Sequence, residues 1–159
     1  MLLFGIITES KSQNGVKGDY LIKPFTITII DSDYSNSYAI ATIVTEAQLT
    51  IIFKGSLIGE KDSIVYSVRL KTSETLRQIS EVDIGSLEKG YSNDCVKDGS
   101  QITVKIKKGA KYNSVHLSNF YQEDVGRLIS LVNSIVPDRY KIWYDKESLI
   151  ADYMKCKGN

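Results

Sequence analysis

Alternating apolar and polar residues dominate the first two-thirds of the chain. Ile102, Val104 and Ile106 alternate with polar residues, which is the period of a strand with one buried face. The segment from Lys108 to Lys111 contains a Gly and supplies a turn, and residues 112–117 resume the strand pattern. This combination of period and turn chemistry predicts a β-hairpin.

Several further segments are predicted to be extended. Four have the composition or period of strands: residues 20–30, 38–45, 48–54 and 64–71. The second and third are either two short strands or one long bent strand. Pro24 lies inside the first of them and lacks an N–H donor, so we expect an edge strand or a bulge there. Residues 75–84 are predicted to be extended or mixed, and residues 85–100 to be the least regular stretch.

The beginning of the chain is also apolar. Residues 1–8 are rich in apolar side chains, but the stretch is short, no basic residue precedes it and no cleavage-like site follows. We therefore interpret it as a strand and not as a signal peptide.

The last quarter of the chain has the period of helices. Apolar side chains recur every three or four residues at Val125, Leu128, Ile129, Val132, Ile135 and Val136. This predicts a long helix over 122–136, with Asn119 as its N-cap, Gln122 reaching back, and Pro137 ending it. A second, shorter helix is predicted after Asp145. We expect one face of it to carry Leu149, Ile150, Tyr153 and Met154.

These elements predict an α+β fold in one domain. A length of 159 residues fits a single unit. We expect residues 1–37 to supply N-terminal strands, residues 38–136 to form the core, and residues 137–159 to form a C-terminal helical extension. The sheet is expected to be mostly antiparallel and to be closed on its open side by the 122–136 helix.

The order of these elements resembles a known superfold. Residues 41–53, Ile79-Ser-Glu-Val-Asp-Ile84, residues 102–112 and residues 128–136 match, in that order, an early strand, an I-x-x-x-D-I segment, a late hairpin and a closing helix. Residues 38–136 therefore resemble the pleckstrin-homology-like superfold, which includes the GRAM domains. The resemblance implies a PH-like sheet or barrel plugged by one helix, and a role in binding lipid headgroups, peptides or other proteins.

Charge and hydropathy exclude several classes of function. The chain has 20 Lys and Arg against 19 Asp and Glu. A net charge of +1 argues against a dedicated nucleic-acid-binding protein and against strong, purely electrostatic membrane binding. No apolar run approaches the ~18 residues that a transmembrane helix needs. Without a recognisable targeting segment, we expect a cytoplasmic protein.

Residues that could carry catalysis or bind a metal are few. The chain has one histidine, His116, and two cysteines, Cys95 and Cys156, which are far apart and too few for a disulfide framework. Asp31 and Asp33 hint at a calcium loop, but the required Gly and Glu are missing, so we interpret them as a turn. Nucleophile-elbow, Walker and dinucleotide-binding motifs are absent.

We therefore predict no enzymatic activity, no cofactor and no metal. An unrecognised hydrolase using His116 with Ser114 or a distant carboxylate stays an alternative.

Two groups of residues are candidate binding sites. Four lysines surround the hairpin turn: Lys105, Lys107, Lys108 and Lys111. They suit an anionic headgroup or an acidic protein surface, although lysines on a hairpin also keep a sheet edge from pairing. The second group is aromatic and consists of Tyr140, Trp143 and Tyr144. Such residues are enriched at interfaces, but for a lone Trp we favour packing against the sheet.

The sequence thus predicts a non-enzymatic module that binds another protein. A narrower hypothesis is a bacterial inhibitor or immunity protein that masks the active site of a toxin. The alternative is recruitment to anionic lipid through the lysine hairpin. The sequence leaves open the partner, the oligomeric state, whether a leader was removed, and whether residues 1–37 belong to the same sheet.

Overall fold

The computed structural model describes residues 21–33, 35, 37, 39–55 and 59–158. It confirms an α+β fold with a mostly antiparallel sheet. The strands are β1 (Phe25–Asp33), β2 (Ala39–Thr45), β3 (Gln48–Phe53), β4 (Ser63–Arg69), β5 (Gly90–Ser92), β6 (Ser100–Lys108) and β7 (Lys111–Ser118). The helices are α1 (Glu74–Glu81), α2 (Glu123–Asn133) and α3 (Lys146–Lys157), with a 3-10 turn at Asp138–Tyr140. The strand predicted over residues 1–8 lies outside the described residues.

The described residues form a sheet of seven strands in the order β4-β3-β2-β1-β6-β7-β5. All neighbours are antiparallel except β5 and β7, which are parallel. The two end strands do not pair with each other, so the sheet is open and not the closed barrel that the resemblance allowed.

Strand β1 is central and not at an edge, which corrects the expectation based on Pro24. It pairs with β2 on one side and with β6 on the other. Pro24 directly precedes the first residue of β1, so its missing N–H removes no hydrogen bond from the ladder.

One face of the sheet carries the hydrophobic core. Phe25, Ile27 and Ile29 alternate with half-buried residues along β1, and their cross-strand partners on β2 and β6 continue the same face. Helices α1 and α2 complete the core with Leu76, Ile79, Val125, Leu128, Ile129 and Val132, all almost fully buried. The predicted hairpin is confirmed as β6 and β7.

Helix α1 occupies most of residues 75–84, which were predicted to be extended or mixed. Ser73 caps it, because its hydroxyl accepts a hydrogen bond from the Leu76 N–H at 3.2 Å. Arg77 forms ion pairs with Glu74 and Glu81 on the exposed side of the helix. The I-x-x-x-D-I segment therefore begins inside a helix and does not form a strand.

Helix α2 lies where the sequence predicts a helix, but its ends differ. The N-cap is Gln122, whose side chain accepts from the Val125 N–H at 2.8 Å, while Asn119 adopts a positive φ of 49° before the helix. The helix ends at Asn133, before Pro137. At 11 residues α2 is no longer than α3, which has 12, so the expectation of one long helix followed by a short one is wrong.

Candidate interaction surface

The four hairpin lysines lie on two different faces. Lys105 and Lys107 point away from the core, because the buried Val104 and Ile106 alternate with them along β6. Lys108 and Lys111 pair with each other across the turn and belong to the core side of the sheet. The lysines therefore do not form one continuous basic patch.

Lys108 also has a structural partner. Its Nζ donates to the carbonyl of Val82 at 2.5 Å, which ties the hairpin to the residue after α1. Desolvation lowers the pKa of Lys108, and the nearby Asp83 and Glu81 partly oppose that shift. This lysine therefore stabilises the contact between β6 and α1.

Tyr140 packs against the edge of the sheet. Its ring centroid lies 5.9 Å from that of Tyr66, and its hydroxyl donates to the carbonyl of Val65 at 3.2 Å. The guanidinium of Arg139 lies over the Tyr140 ring, 4.7 Å from its centroid. Tyr140 thus fastens the chain after α2 to β4.

Tyr144 fastens the same chain to the start of α2. Its hydroxyl donates to the Phe120 carbonyl at 2.9 Å and accepts from the Gln122 N–H at 2.8 Å. Its ring stacks on Tyr121 with centroids 5.2 Å apart. Burial raises the pKa of the Tyr144 hydroxyl well above its usual range, so it stays protonated and can keep donating.

Trp143 is exposed, which contradicts the packing interpretation. Its exposed fraction is 54%, whereas the neighbouring Ile142 is buried. Asn133 holds Ile142 from both sides, because its side chain accepts from the Ile142 N–H at 2.9 Å and donates to the Ile142 carbonyl at 2.8 Å. The indole therefore projects from a backbone that is fixed on either side by Asn133 and Tyr144.

Helix α3 divides the four apolar residues that the sequence placed on one face. Leu149 is buried, and Tyr153 packs edge-on against Phe120 with centroids 5.2 Å apart. Ile150 and Met154 are 41% and 63% exposed and, four residues apart, share the outer side of the helix. The four residues form two adjacent apolar pairs, Leu149 with Ile150 and Tyr153 with Met154, and this stripe is wider than the contact between α3 and the core. The width of the apolar stripe is the feature of the sequence that indicates that half of these residues are exposed.

Both ends of α3 are anchored. At its start, the Asp145 side chain accepts from the Ser148 N–H at 2.7 Å, and Lys146 pairs with Glu123 at 2.7 Å. At its end, Cys156 forms a disulfide with Cys95, with Cα atoms 5.7 Å apart and a sequence separation of 61. This pairing corrects the expectation that two cysteines so far apart in sequence are unrelated. We refer to Trp143, Ile150 and Met154 as the C-terminal apolar surface.

His116 does not pair with Ser114. Its Nδ1 lies 2.9 Å from the Thr103 hydroxyl, and its Nε2 lies 3.1 Å from the side-chain oxygen of Gln101. Both ring nitrogens therefore have partners on the neighbouring strand β6. Ser114 lies two residues earlier on the same face of β7, opposite Lys105. The hydrogen bonds of His116 do not create the nucleophile–base pair that a hydrolase would use.

No protein-family model and no curated protein matches the chain. Within the described part of the chain, no helix is long and apolar enough to cross a membrane. The same residues contain no group of three or more His, Cys, Asp or Glu placed to hold a metal ion.

Proposed function

We propose that the protein is a non-enzymatic module that binds another protein through the C-terminal apolar surface. The observation that carries the proposal is the exposure of Trp143 on a backbone fixed by its neighbours. Trp is enriched among the residues that contribute most to interface affinity, and Met is enriched at interfaces generally. A backbone held in place before binding loses less conformational freedom on association, which favours affinity.

The anchoring of α3 supports the same proposal. Ile150 and Met154 project from a helix that is held by an N-cap and an ion pair at one end and by a disulfide at the other. A pre-formed helical face of this kind suits a partner that offers an apolar groove. The narrower hypothesis, a bacterial inhibitor or immunity protein, and membership of the PH-like superfold both stay proposals.

A capture experiment with matched variants tests the proposed surface. The wild-type chain and the variants Trp143→Ser and Met154→Ser are immobilised and exposed to lysate of the source cell, and retained proteins are identified by mass spectrometry. Tyr112→Ser is the control, because Tyr112 is also an exposed aromatic residue, at 59%, but lies on β7. We expect one stoichiometric protein that both surface variants lose and the control keeps. Equal capture by all variants would argue against this surface.

A second candidate is binding to anionic lipid. The observation that favours it is that Lys105, Lys107 and the exposed Tyr112 share one face of the hairpin, with Lys107 directly opposite Tyr112. Cations and an aromatic ring on one face suit a membrane interface. Sedimentation with anionic vesicles tests it: binding should weaken in Lys105→Glu with Lys107→Glu. Binding that persists in this double variant would exclude the hairpin.

The disulfide bears on where the protein works. A cytoplasmic location, expected from the sequence, stays a prediction. Disulfides persist in oxidising compartments and are rare in the cytosol, where thiols are kept reduced. The Cys95–Cys156 disulfide is therefore a reason to prefer an oxidising compartment over the cytoplasm as the place where the protein works.

A further inference from the structure

Among the described strands, β4 forms one edge of the sheet, and the structure shows which of its residues hydrogen-bond to β3 and which face outward. The Leu70 N–H donates to the Ala47 carbonyl at 2.8 Å, and β4 pairs with β3 in a register that continues from this bond. In an antiparallel pair, hydrogen-bonded and non-hydrogen-bonded positions alternate. Val68 and Tyr66 therefore bond to β3, whereas the N–H and carbonyl groups of Ser67 and Arg69 point away from the sheet.

This edge has one of the usual devices against strand pairing, a register shift at Val65 between the pairs Ile51–Tyr66 and Ile52–Ile64. Natural edges are also blocked by Lys, Pro or inward-pointing charges, and residues 66–68 have none of these. Residues 63–68 contain only Ser, Ile, Val and Tyr, and Ile64, Val65 and Val68 are 69%, 39% and 38% exposed. At Val65 the carbonyl already accepts from Tyr140, which leaves the stretch around Ser67 and Arg69 for a partner.

Charges at the two ends of β4 indicate the chemistry of that partner. Arg69 ends the strand and Lys71 follows it, and both are exposed. At the other end Lys61 lies between the acidic Glu60 and Asp62, and Asp62 pairs with Lys54. An added strand would therefore be favoured by acidic residues where it meets Arg69 and Lys71.

The same charges disfavour one register of pairing between β4 and a second copy. An antiparallel dimer centred on Tyr66 sets Lys71 opposite Lys61 of the other copy, whereas a dimer centred on Ser67 sets Lys71 opposite Ser63. Like charges directly opposite each other in a sheet are destabilising.

We propose that β4 binds an extended segment of a partner protein, with β-branched residues in its middle and acidic residues facing Arg69 and Lys71, which adds a strand to the described sheet. This mode of recognition uses main-chain hydrogen bonds for affinity and side chains for specificity. It involves a surface different from the C-terminal apolar surface, so either proposal can fail while the other stands.

Two variants at one position test the proposal. Ser67→Pro removes the outward N–H of an edge position, where proline is tolerated because that group has no bond to β3. Ser67→Ala is the matched control: like the proline variant it loses the hydroxyl that accepts from Gln48 at 2.8 Å, but it keeps the N–H. Thermal melting confirms that both variants fold. The probe is a short peptide of alternating Thr and Val flanked by Glu pairs, and a second peptide carries Lys in place of Glu.

Binding is measured by NMR titration of the backbone amides. We expect the Glu-flanked peptide to shift the amides of residues 63–69 in wild type and in Ser67→Ala. Its Kd should rise about tenfold or more in Ser67→Pro, because a hydrogen bond and the close approach of the strands are lost. Equal binding to Ser67→Pro, equal binding of the Lys-flanked peptide, or no binding to wild type would each overturn the proposal. A wild-type dimer that Ser67→Pro dissociates would also overturn it, in favour of self-pairing.

Discussion

Removal of the Cys95–Cys156 disulfide should cost the protein a large part of its stability. The bond closes a loop across a sequence separation of 61, which restricts the unfolded chain. The loop-closure relation for a loop of this length gives about 4 kcal/mol at 25 °C. Residual structure in the unfolded chain lowers this figure, so we expect a loss of about 2–4 kcal/mol. Small domains have only about 5–15 kcal/mol in total, so the change is readily measured.

The assay is urea unfolding of the double variant Cys95→Ser with Cys156→Ser, compared with oxidised wild type. Tryptophan fluorescence reports on Trp143, which lies just before α3, and far-ultraviolet circular dichroism reports on the whole chain. If only α3 detaches, the fluorescence transition should move to lower urea than the dichroism transition. If the disulfide stabilises the whole unit, both should move together.

Reduced wild type provides the control for the serine substitutions. It should unfold at the same urea concentration as the double variant, because both lack the covalent link. If thiol titration found two free thiols in the protein purified without reductant, the disulfide would not form in solution. If the free energies of unfolding of the oxidised protein and the double variant agreed within about 1 kcal/mol, the disulfide would not stabilise the fold as expected.

Two further predictions concern the half-buried polar residues Asp31 and Asn133. Burial raises the pKa of Asp31 to about 6 from an ordinary value of 3.8, so the folded state binds the proton more tightly than the unfolded state does. The free energy of unfolding should therefore fall as pH rises from about 4 to 6 and level off above. Asp31→Asn should flatten this slope and raise stability near pH 7 by about 1–2 kcal/mol, as measured by urea unfolding across pH; an unchanged slope would contradict the assignment. Asn133→Ala should cost about 2 kcal/mol, because it breaks two hydrogen bonds to Ile142, and it should shift the fluorescence of Trp143. Asn133→Asp keeps the acceptor and loses the donor, so its stability should lie between those of wild type and Asn133→Ala. If Asn133→Ala melted at the same temperature as wild type, the two hydrogen bonds to Ile142 would be unimportant for stability.

The sequence predicted the elements whose signals are local. The β6–β7 hairpin shows a two-residue period on both sides of a glycine turn, and α2 shows one continuous apolar face, so neighbouring residues alone define them. Helix α1 was missed because it has only eight residues, and Ile79 with the following Val82 and Ile84 resembles a strand. Ser73, a residue type that favours the N-cap position, was the feature of the sequence that indicated a helix, although the apolar residues Ile79, Val82 and Ile84 favoured a strand.

The candidate surface depends on contacts that the sequence does not contain. Trp143 is exposed because Asn133 and Phe120, both distant in sequence, hold its neighbours Ile142 and Tyr144 inward. Cys95 meets Cys156 only once α3 has folded back past Phe120. The strand period of residues 64–70 was visible, but its position at an edge follows from the strand order and not from the period.

The strand order also has a consequence for how the chain folds. Strands β1 to β4 form a meander in which each strand pairs with its neighbour in sequence, and β6 with β7 is a local hairpin. These two units join only where β1 pairs with β6, across all of the chain that lies between them. Closing such a long loop costs entropy before any contact rewards it, so non-local pairings of this kind slow folding. We therefore expect the encounter of the meander with the hairpin to limit the folding rate, and substitutions at Ile27 or Ile106 to slow folding more than they speed unfolding.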